Sequence, residues 1–193
     1  MFAIRIHGRG GQGVVTAAEM LAIAAFEDGE HAQAFPTFGS ERTGAPVTSF
    51  CRIDDRPIRL REPIAAPDAL IVQDPTLLHQ VDLFAGAGDD AYFLINTTKE
   101  FAELGIDEFV RRLRPERTAT VPAAEIAKRE LGRPLPNTSL LGAFAAITGL
   151  VSLDAVGKAI DQKFSGEIAA RNRAAAGVAF EHVRTEIEAV AHA

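Results

Sequence analysis

The sequence predicts an α/β fold: a doubly wound, mainly parallel sheet with helices on both faces, followed by a helical C-terminal part. Two observations support this prediction. Short apolar runs typical of buried parallel strands alternate along the chain with segments of helical periodicity. The chain also opens on a strand, a cluster of glycines and a helix-like stretch, which is a common first unit of α/β proteins.

The opening unit consists of a strand at residues 2–7 and a helix from about Gln12 to Asp28. Apolar residues recur at three- and four-residue spacing through this helix, which predicts one buried face. Gly29 is suited to end it, because glycine readily adopts the left-handed backbone conformation found there. A second strand is predicted at residues 31–35.

The Gly- and Pro-rich stretch 36–46 has neither helical nor strand periodicity and predicts a long loop. Long ordered loops in small domains are often functional. Residues 47–53 predict a third strand, turned at Asp54 and Asp55, with residues 57–60 returning as its hairpin partner.

Further buried strands are predicted at residues 68–73, 92–96 and 118–121. Short helical stretches separate them, near residues 76–84 and 106–113. After about residue 122 the pattern becomes helical, with helices predicted at 123–131, 138–151, 153–164 and 167–190. We therefore expect a single domain over residues 1–193, with an α/β core at about 1–122 and a helical part at about 123–193.

Composition and charge exclude several classes of function. The net charge of −6 argues against a nucleic-acid-binding protein, which needs a basic face. No apolar run approaches the roughly 20 residues that span a bilayer, and the N-terminus does not read as a signal peptide, so a cytoplasmic location is expected. The single cysteine, Cys51, forms no intrachain disulfide and cannot by itself hold an iron–sulfur cluster, which needs about four thiolates.

The glycine-rich stretch after the first strand is the first candidate binding site. Gly8, Gly10 and Gly13 satisfy the pattern G-x-G-x-x-G, with Gly11 as an extra glycine. A dinucleotide site would place an acid at the end of the second strand, but that strand ends Ala34-Phe35-Pro36. The missing acid counts against a dinucleotide. The favoured interpretations are a tight structural turn and a loop that binds another phosphate-bearing ligand, alone or with a partner subunit, with side chains from Arg9 and Gln12.

A second candidate loop follows the second strand. It carries two glycines around a polar cluster, in the order Gly39, Ser40, Glu41, Arg42, Thr43 and Gly44. Such a loop turns sharply and can present a guanidinium to a phosphate or carboxylate. Alternatively, Glu41 and Arg42 hold the loop to its own domain or to a neighbouring subunit.

The remaining polar motifs favour structural roles. In Pro136-Asn137-Thr138, Asn137 or Thr138 is a credible N-cap, and Gly142 inside the following helix predicts close backbone packing. The five histidines are scattered without metal-ligand spacing, and no nucleophile–base set can be argued from spacing. We therefore assign no catalytic residue and no metal ligand to this chain.

Four segments together resemble the gamma subunit of 2-oxoacid:ferredoxin oxidoreductases, with the pyruvate branch nearest. They are residues 7–17, 36–47, 68–77 and 137–143, and the resemblance extends from residue 2 to at least about 180. It implies a Rossmann-like domain that packs on an alpha subunit and is associated with coenzyme A binding. Carried over by motif, the residues that correspond to the family's two loops are Gly8, Gly10, Gly11, Gln12, Gly13, Gly39, Glu41, Arg42 and Gly44.

The resemblance also implies the partners. Family members oxidatively decarboxylate a 2-oxoacid, with thiamine diphosphate and Mg²⁺ between alpha and beta subunits. [4Fe-4S] clusters in beta and in a ferredoxin-like delta subunit take the electrons, and ferredoxin or, through an added FAD subunit, NAD receives them. Pyruvate is the default substrate, and an aromatic or branched 2-oxoacid is the variant. The alternatives are a purely structural subunit without ligand contact and a stand-alone dinucleotide-binding oxidoreductase.

Overall fold

A computed structural model describes residues 1–37 and 43–191 of the chain. Its centre is a six-stranded sheet whose strands are β1 (Phe2–Arg9), β2 (His31–Pro36), β3 (Pro46–Asp54), β4 (Ala69–Val72), β5 (Tyr92–Asn96) and β6 (Thr118–Val121). The strand order across the sheet is β2-β3-β1-β4-β5-β6. Strands β1, β4, β5 and β6 run parallel, whereas β3 is antiparallel to both of its neighbours, β1 and β2.

The helices are α1 (Val14–Glu27), α2 (Asp107–Val110), α3 (Ala123–Leu131), α4 (Asn137–Thr148), α5 (Leu153–Lys163) and α6 (Gly166–Ala191). In the described part of the chain there are also three 3₁₀ turns, at Pro75–His79, Phe101–Leu104 and Pro115–Arg117. Among the described residues, no helix combines the length and apolar character needed to cross a membrane.

One face of the sheet forms the larger part of the core. Alternate strand residues such as Ile4, Ile71 and Leu94 point to this face, where they pack against α1 and the C-terminal helices. Helix α1 contributes mainly small side chains, including Ala17 and Ala18, so its backbone lies close to the strands. The long helices therefore all pack on the same side of the sheet.

The opposite face is covered by short segments. Leu70, Phe93 and Ile95 pack there against the 3₁₀ turns and the single-turn helix α2. Phe84 and Phe109 stack with ring centroids 3.9 Å apart, and Phe93 meets Phe109 edge-on at 5.8 Å. The helical stretches predicted near 76–84 and 106–113 are therefore real but much shorter than their sequence pattern suggested.

The mainly parallel sheet and the helical C-terminal part are confirmed. The predicted hairpin partner at 57–60 is wrong, because those residues form no strand. The reason is geometric: β3 is paired with β1 on one side and with β2 on the other, so it has no free edge.

The boundaries of α4 also differ from the prediction. Pro136 occupies the N-cap position, so Asn137 is already the first helical residue and neither Asn137 nor Thr138 is the N-cap. The helix ends at Thr148 rather than at residue 151, because Gly149 adopts a left-handed conformation with φ of 60°. Gly142, by contrast, has the predicted close contact, since a Cβ there would lie 2.0 Å from the carbonyl oxygen of Ala176 in α6.

Candidate functional site

The glycine loop, residues 8–13, joins the end of β1 to the first turn of α1. Gly11 and Gly13 have positive φ angles of 91° and 71°, which glycine adopts far more readily than other residues. Gly8 has no room for a side chain, because a Cβ there would lie 2.6 Å from Cγ2 of Val14. The glycines therefore allow both the sharp turn and the close packing of strand against helix.

The N-terminus of α1 is open. Gly13 is its N-cap, and among the described residues no side chain caps this helix and no acidic residue lies in its first turn. The first N–H groups therefore keep their partial positive charge. A cavity of about 310 Å³ lies at this point, lined by the glycine loop, the first turn of α1 and Val47. This arrangement suits a phosphate or another anion.

The described end of the second candidate loop, Thr43 and Gly44, lies beside the glycine loop. The Gly10 N–H donates to the Ala45 carbonyl at 2.9 Å, and the Gly44 N–H donates to the Gly10 carbonyl at 3.0 Å. Gly10 and Thr43 also form a short parallel bridge. The two motifs found in the sequence thus meet in space through Thr43 and Gly44. The other four candidates of this loop lie outside the described residues: Gly39, Ser40, Glu41 and Arg42.

Arg9 and Gln12 are engaged by the protein itself. Arg9 Nε donates to Asp74 Oδ2 at 3.1 Å, and Gln12 Nε2 donates to the same oxygen at 2.9 Å. Arg9 also donates to the Gly44 carbonyl, to Thr76 Oγ1 and to Gln80 Oε1, at 2.7 to 3.0 Å. Gln12 Oε1 in turn accepts from the Arg9 backbone N–H. Both side chains therefore tie the two loops and β4 together.

Asp74 is the centre of this network, and it directly follows the strand that the sequence predicts at residues 68–73. Burial alone would raise the pKa of its carboxyl group, but hydrogen bonds from Thr76 and Gln12 and the charge of Arg9 together hold the pKa below its usual value. The carboxylate is therefore the stable form at neutral pH. The predicted parallel arrangement of the strands could have pointed to Asp74. Because β4 runs parallel to β1, the residues just beyond both strands come together at one edge of the sheet.

Asn137 is the second residue brought to the site by the fold. A Cβ on Gly13 would lie only 2.5 Å from Asn137 Nδ2, so the first residue of α4 touches the N-cap of α1. Within the described part of the chain, the first turn of α4 likewise has no acidic residue. Its N-cap, Pro136, supplies no side-chain cap, and one N–H of the turn, that of Thr138, donates to Asn137 Oδ1 at 2.9 Å. Two helix N-termini therefore meet beside the glycine loop, which strengthens the positive potential there.

His7 is close to the loop but is held as a structural residue. It is 6% exposed, and Arg5 Nε donates to its Nε2 at 3.1 Å. Because Nε2 accepts this bond, the ring hydrogen lies on Nδ1 and is donated to Thr48 Oγ1 at 3.2 Å. Burial, together with the charge of Arg5, lowers the pKa of His7 to about 3. The ring is therefore neutral and fully hydrogen-bonded.

Cys51 has the character of a buried small hydrophobic residue. It lies in the core on β3, and burial raises the pKa of its thiol to about 12. A thiolate does not form there at neutral pH, so Cys51 is not a reactive group.

The profile of the pyruvate ferredoxin/flavodoxin oxidoreductases matches residues 3–182 of the chain. The chain belongs to this family. The resemblance inferred from the motifs is thereby confirmed, and the chain is a gamma subunit of a pyruvate or 2-oxoacid oxidoreductase, an enzyme complex built from several kinds of subunit.

Three similar proteins place the gamma subunit within the family. It is 50% identical to the common gamma subunit of the pyruvate/ketoisovalerate oxidoreductases of Pyrococcus abyssi, over 94% of this chain and 96% of that protein. It is 49% identical to pyruvate synthase subunit PorC of Methanothermobacter thermautotrophicus, over 95% and 96%. The crystal structure of pyruvate oxidoreductase subunit PORC from Thermotoga maritima is 40% identical and matches with a TM-score of 0.76, over 93% of this chain and 95% of that one.

Proposed function

We propose that this gamma subunit packs against the alpha subunit of a thiamine-diphosphate-dependent complex and helps it bind coenzyme A. The complex converts a 2-oxoacid, coenzyme A and an oxidised acceptor into an acyl-CoA, carbon dioxide and the reduced acceptor. One observation carries the proposal for this chain: within residues 1–37 and 43–191 no side chain caps the first turn of α1, which has no acidic residue and opens to a cavity of about 310 Å³. A phosphate of coenzyme A fits this environment.

The twelve candidate residues then divide into three groups. Gly10, Gly11 and Gly13 bring backbone close to the phosphate, and Arg42 adds positive charge from the second loop. Arg9 and Gln12 act through Asp74, because their side chains already bind that carboxylate and hold both loops in place. The third group completes the two sequence motifs, and we propose no direct ligand contact for its members: Gly8, Gly39, Ser40, Glu41, Thr43 and Gly44.

The remaining chemistry belongs to the partners. Thiamine diphosphate with Mg²⁺ lies between alpha and beta, and [4Fe-4S] clusters in beta and delta carry electrons to ferredoxin. Pyruvate is the substrate we favour, and the complex works in the cytoplasm. The single cysteine of this chain agrees with such a division, since an iron–sulfur cluster needs about four thiolates.

The substitution Thr16→Glu tests the phosphate site directly. Thr16 is the third residue of α1 and lines the cavity. A carboxylate there favours the helix dipole but repels a phosphate, so the chain should keep its stability while binding coenzyme A less well. In the assembled complex we expect the KM for coenzyme A to rise about tenfold or more, with kcat nearly unchanged.

The matched control is Thr16→Gln, which has the same size as Glu and no charge, and should leave the KM near the wild-type value. Steady-state kinetics over a range of coenzyme A concentrations measures both. A purely structural subunit is the second candidate, favoured by the internal hydrogen bonds that engage Arg9 and Gln12. An unchanged KM in the Thr16→Glu complex would contradict the coenzyme A role and support this alternative.

A further inference from the structure

Residues 56–61, which we call the arginine arm, leave the body of the domain without regular secondary structure. Their sequence is Arg-Pro-Ile-Arg-Leu-Arg. Arg59 and Arg61 are exposed, and Leu60 is 46% exposed although it is apolar. No hydrogen bond joins the backbone of residues 57–61 to any other residue within 1–37 and 43–191. The backbone C=O groups of the arm, and its N–H groups apart from Pro57, are therefore available to a partner.

The arm has a strand-like sequence but is not part of the sheet. Ile58 and Leu60 alternate with Arg59 and Arg61, which is the pattern of a strand with one apolar and one polar face. Its neighbour in the chain, β3, is already paired along both edges by β1 and β2. Among the described residues the arm pairs with no strand of the sheet, so the pairing that its sequence favours is left for another chain.

The C-terminal base of the arm is held firmly. Arg52, buried on β3, donates from Nη2 to the Glu62 carbonyl at 2.6 Å. Arg5, buried on β1, donates to the carbonyls of Ile64, Leu83 and Ala85. Ile64 is itself 5% exposed. An exposed segment fixed to the sheet in this way loses little conformational freedom on docking, which favours binding.

The charge of the arm indicates the nature of the partner. Residues 56–61 contain three arginines and no acidic residue, on a chain whose net charge is −6. Arg56 lies 3.7 Å from the exposed carboxylate of Asp55. Among the described residues, neither Arg59 nor Arg61 lies within salt-bridge distance of a carboxylate. An acidic surface therefore complements the arm. We assign that surface to a different subunit because this gamma subunit belongs to a complex of several kinds of subunit.

We propose that the arginine arm adds as an extra strand to an open sheet edge on another subunit of the complex, one that presents acidic side chains beside that edge. Main-chain hydrogen bonds supply the pairing, and the three arginines supply charge complementarity. This inference rests on the proposed function only in requiring that the chain assembles with partner subunits; it does not require that the chain bind coenzyme A.

Hydrogen exchange with mass spectrometry, applied to the free full-length chain and to the assembled complex, tests the pairing. We expect the amides of residues 58–62 to exchange rapidly in the free chain and at least about tenfold more slowly in the complex. Arm amides that stay unprotected in an intact complex would overturn the inference. Protection in the free chain, accompanied by a dimer mass, would also overturn it, since the occupant would then be a second copy.

The charge reversal Arg59→Glu/Arg61→Glu tests the complementarity. Because both side chains are exposed, the variant chain should fold normally by circular dichroism, yet bind the remaining subunits about tenfold more weakly or worse. The control Arg111→Glu/Lys128→Glu makes the same charge change at two other exposed positions and should assemble normally. Equal assembly of the two variants would refute the proposal. If the wild-type chain itself fails to join partner subunits, the subunit role fails instead.

Discussion

At the scale of single residues, the shape of the candidate site depends on the carboxylate of Asp74, which we do not propose as a ligand contact. Asp74 accepts from Arg9 and Gln12 through Oδ2 and from Thr76 through Oδ1. These bonds connect the glycine loop and the base of the second loop to the end of β4. We infer that the hydrogen bonds of the Asp74 carboxylate hold the glycine loop, and with it the first turn of α1, in position.

Removing the charge of Asp74 should loosen this arrangement. In Asp74→Asn the new NH₂ group meets donors rather than acceptors, so we expect the free energy of unfolding to fall by about 2 kcal/mol. Urea denaturation measures this change. The control is Asp89→Asn, which breaks an exposed ion pair with Arg112 and should cost about 0–1 kcal/mol. Equal losses in both variants would show that the Asp74 network has no special weight.

His7 makes the stability of the chain dependent on pH. Its pKa is about 3 in the folded state and near 6.5 in the unfolded state, so between these values only the unfolded chain binds the proton. Its contribution is therefore complete above about pH 6.5 and is lost as the pH falls toward 3. Between pH 7 and pH 4.5 the loss should be about 2–3 kcal/mol.

The variant His7→Asn isolates this effect, because asparagine retains polar contacts but does not titrate. Urea denaturation at several pH values should give a flatter stability curve for the variant than for the wild type. Parallel curves would mean that His7 is not the group responsible, and that carboxylates account for the acid sensitivity.

At the scale of elements, the packing of α4 against α6 leaves no space for a side chain at Gly142. A Cβ there would lie 2.0 Å from the Ala176 carbonyl oxygen, which is rigid helical backbone. Gly142→Ala should therefore destabilise the chain by about 3 kcal/mol, despite the better helix propensity of alanine. Thermal or urea denaturation measures the loss.

Gly177 in α6 provides the control, because a Cβ there meets no atom within 4 Å among the contacts of the described residues. Gly177→Ala should stabilise the chain by up to about 1 kcal/mol through helix propensity alone. If both substitutions stabilise the protein, the two helices are farther apart than the structure indicates.

The sequence predicted some of these helices and strands correctly and others wrongly. Periodicity found β1, α1 and the C-terminal helices, because each buries a regular apolar face. It failed at residues 57–60, where a strand pattern is present but the sheet has no free edge beside β3. It overestimated the helices near 76–84 and 106–113, where segments of only four or five residues in regular helical conformation cover the second face.

At the scale of the whole molecule, the domain presents two different sides to a complex. The long helices cover one face of the sheet, and the candidate anion site lies at the edge where β1 and β4 end. The arginine arm follows β3, and Arg5 binds the carbonyl of Ile64 just beyond the arm together with the carbonyls of Leu83 and Ala85. This separation lets coenzyme A binding and subunit docking be tested by independent substitutions, Thr16→Glu for the first and Arg59→Glu/Arg61→Glu for the second.

By itself the sequence determined the fold class, the family and the two loop motifs, because these depend on local patterns of glycine, apolar spacing and order along the chain. Only the tertiary structure decided which atoms face one another. It engaged Arg9 and Gln12 with Asp74, 65 and 62 residues away along the chain, and it brought Asn137 against Gly13. It also left residues 57–61 without a partner strand among the described residues, because β1 and β2 already occupy both edges of the preceding strand, β3.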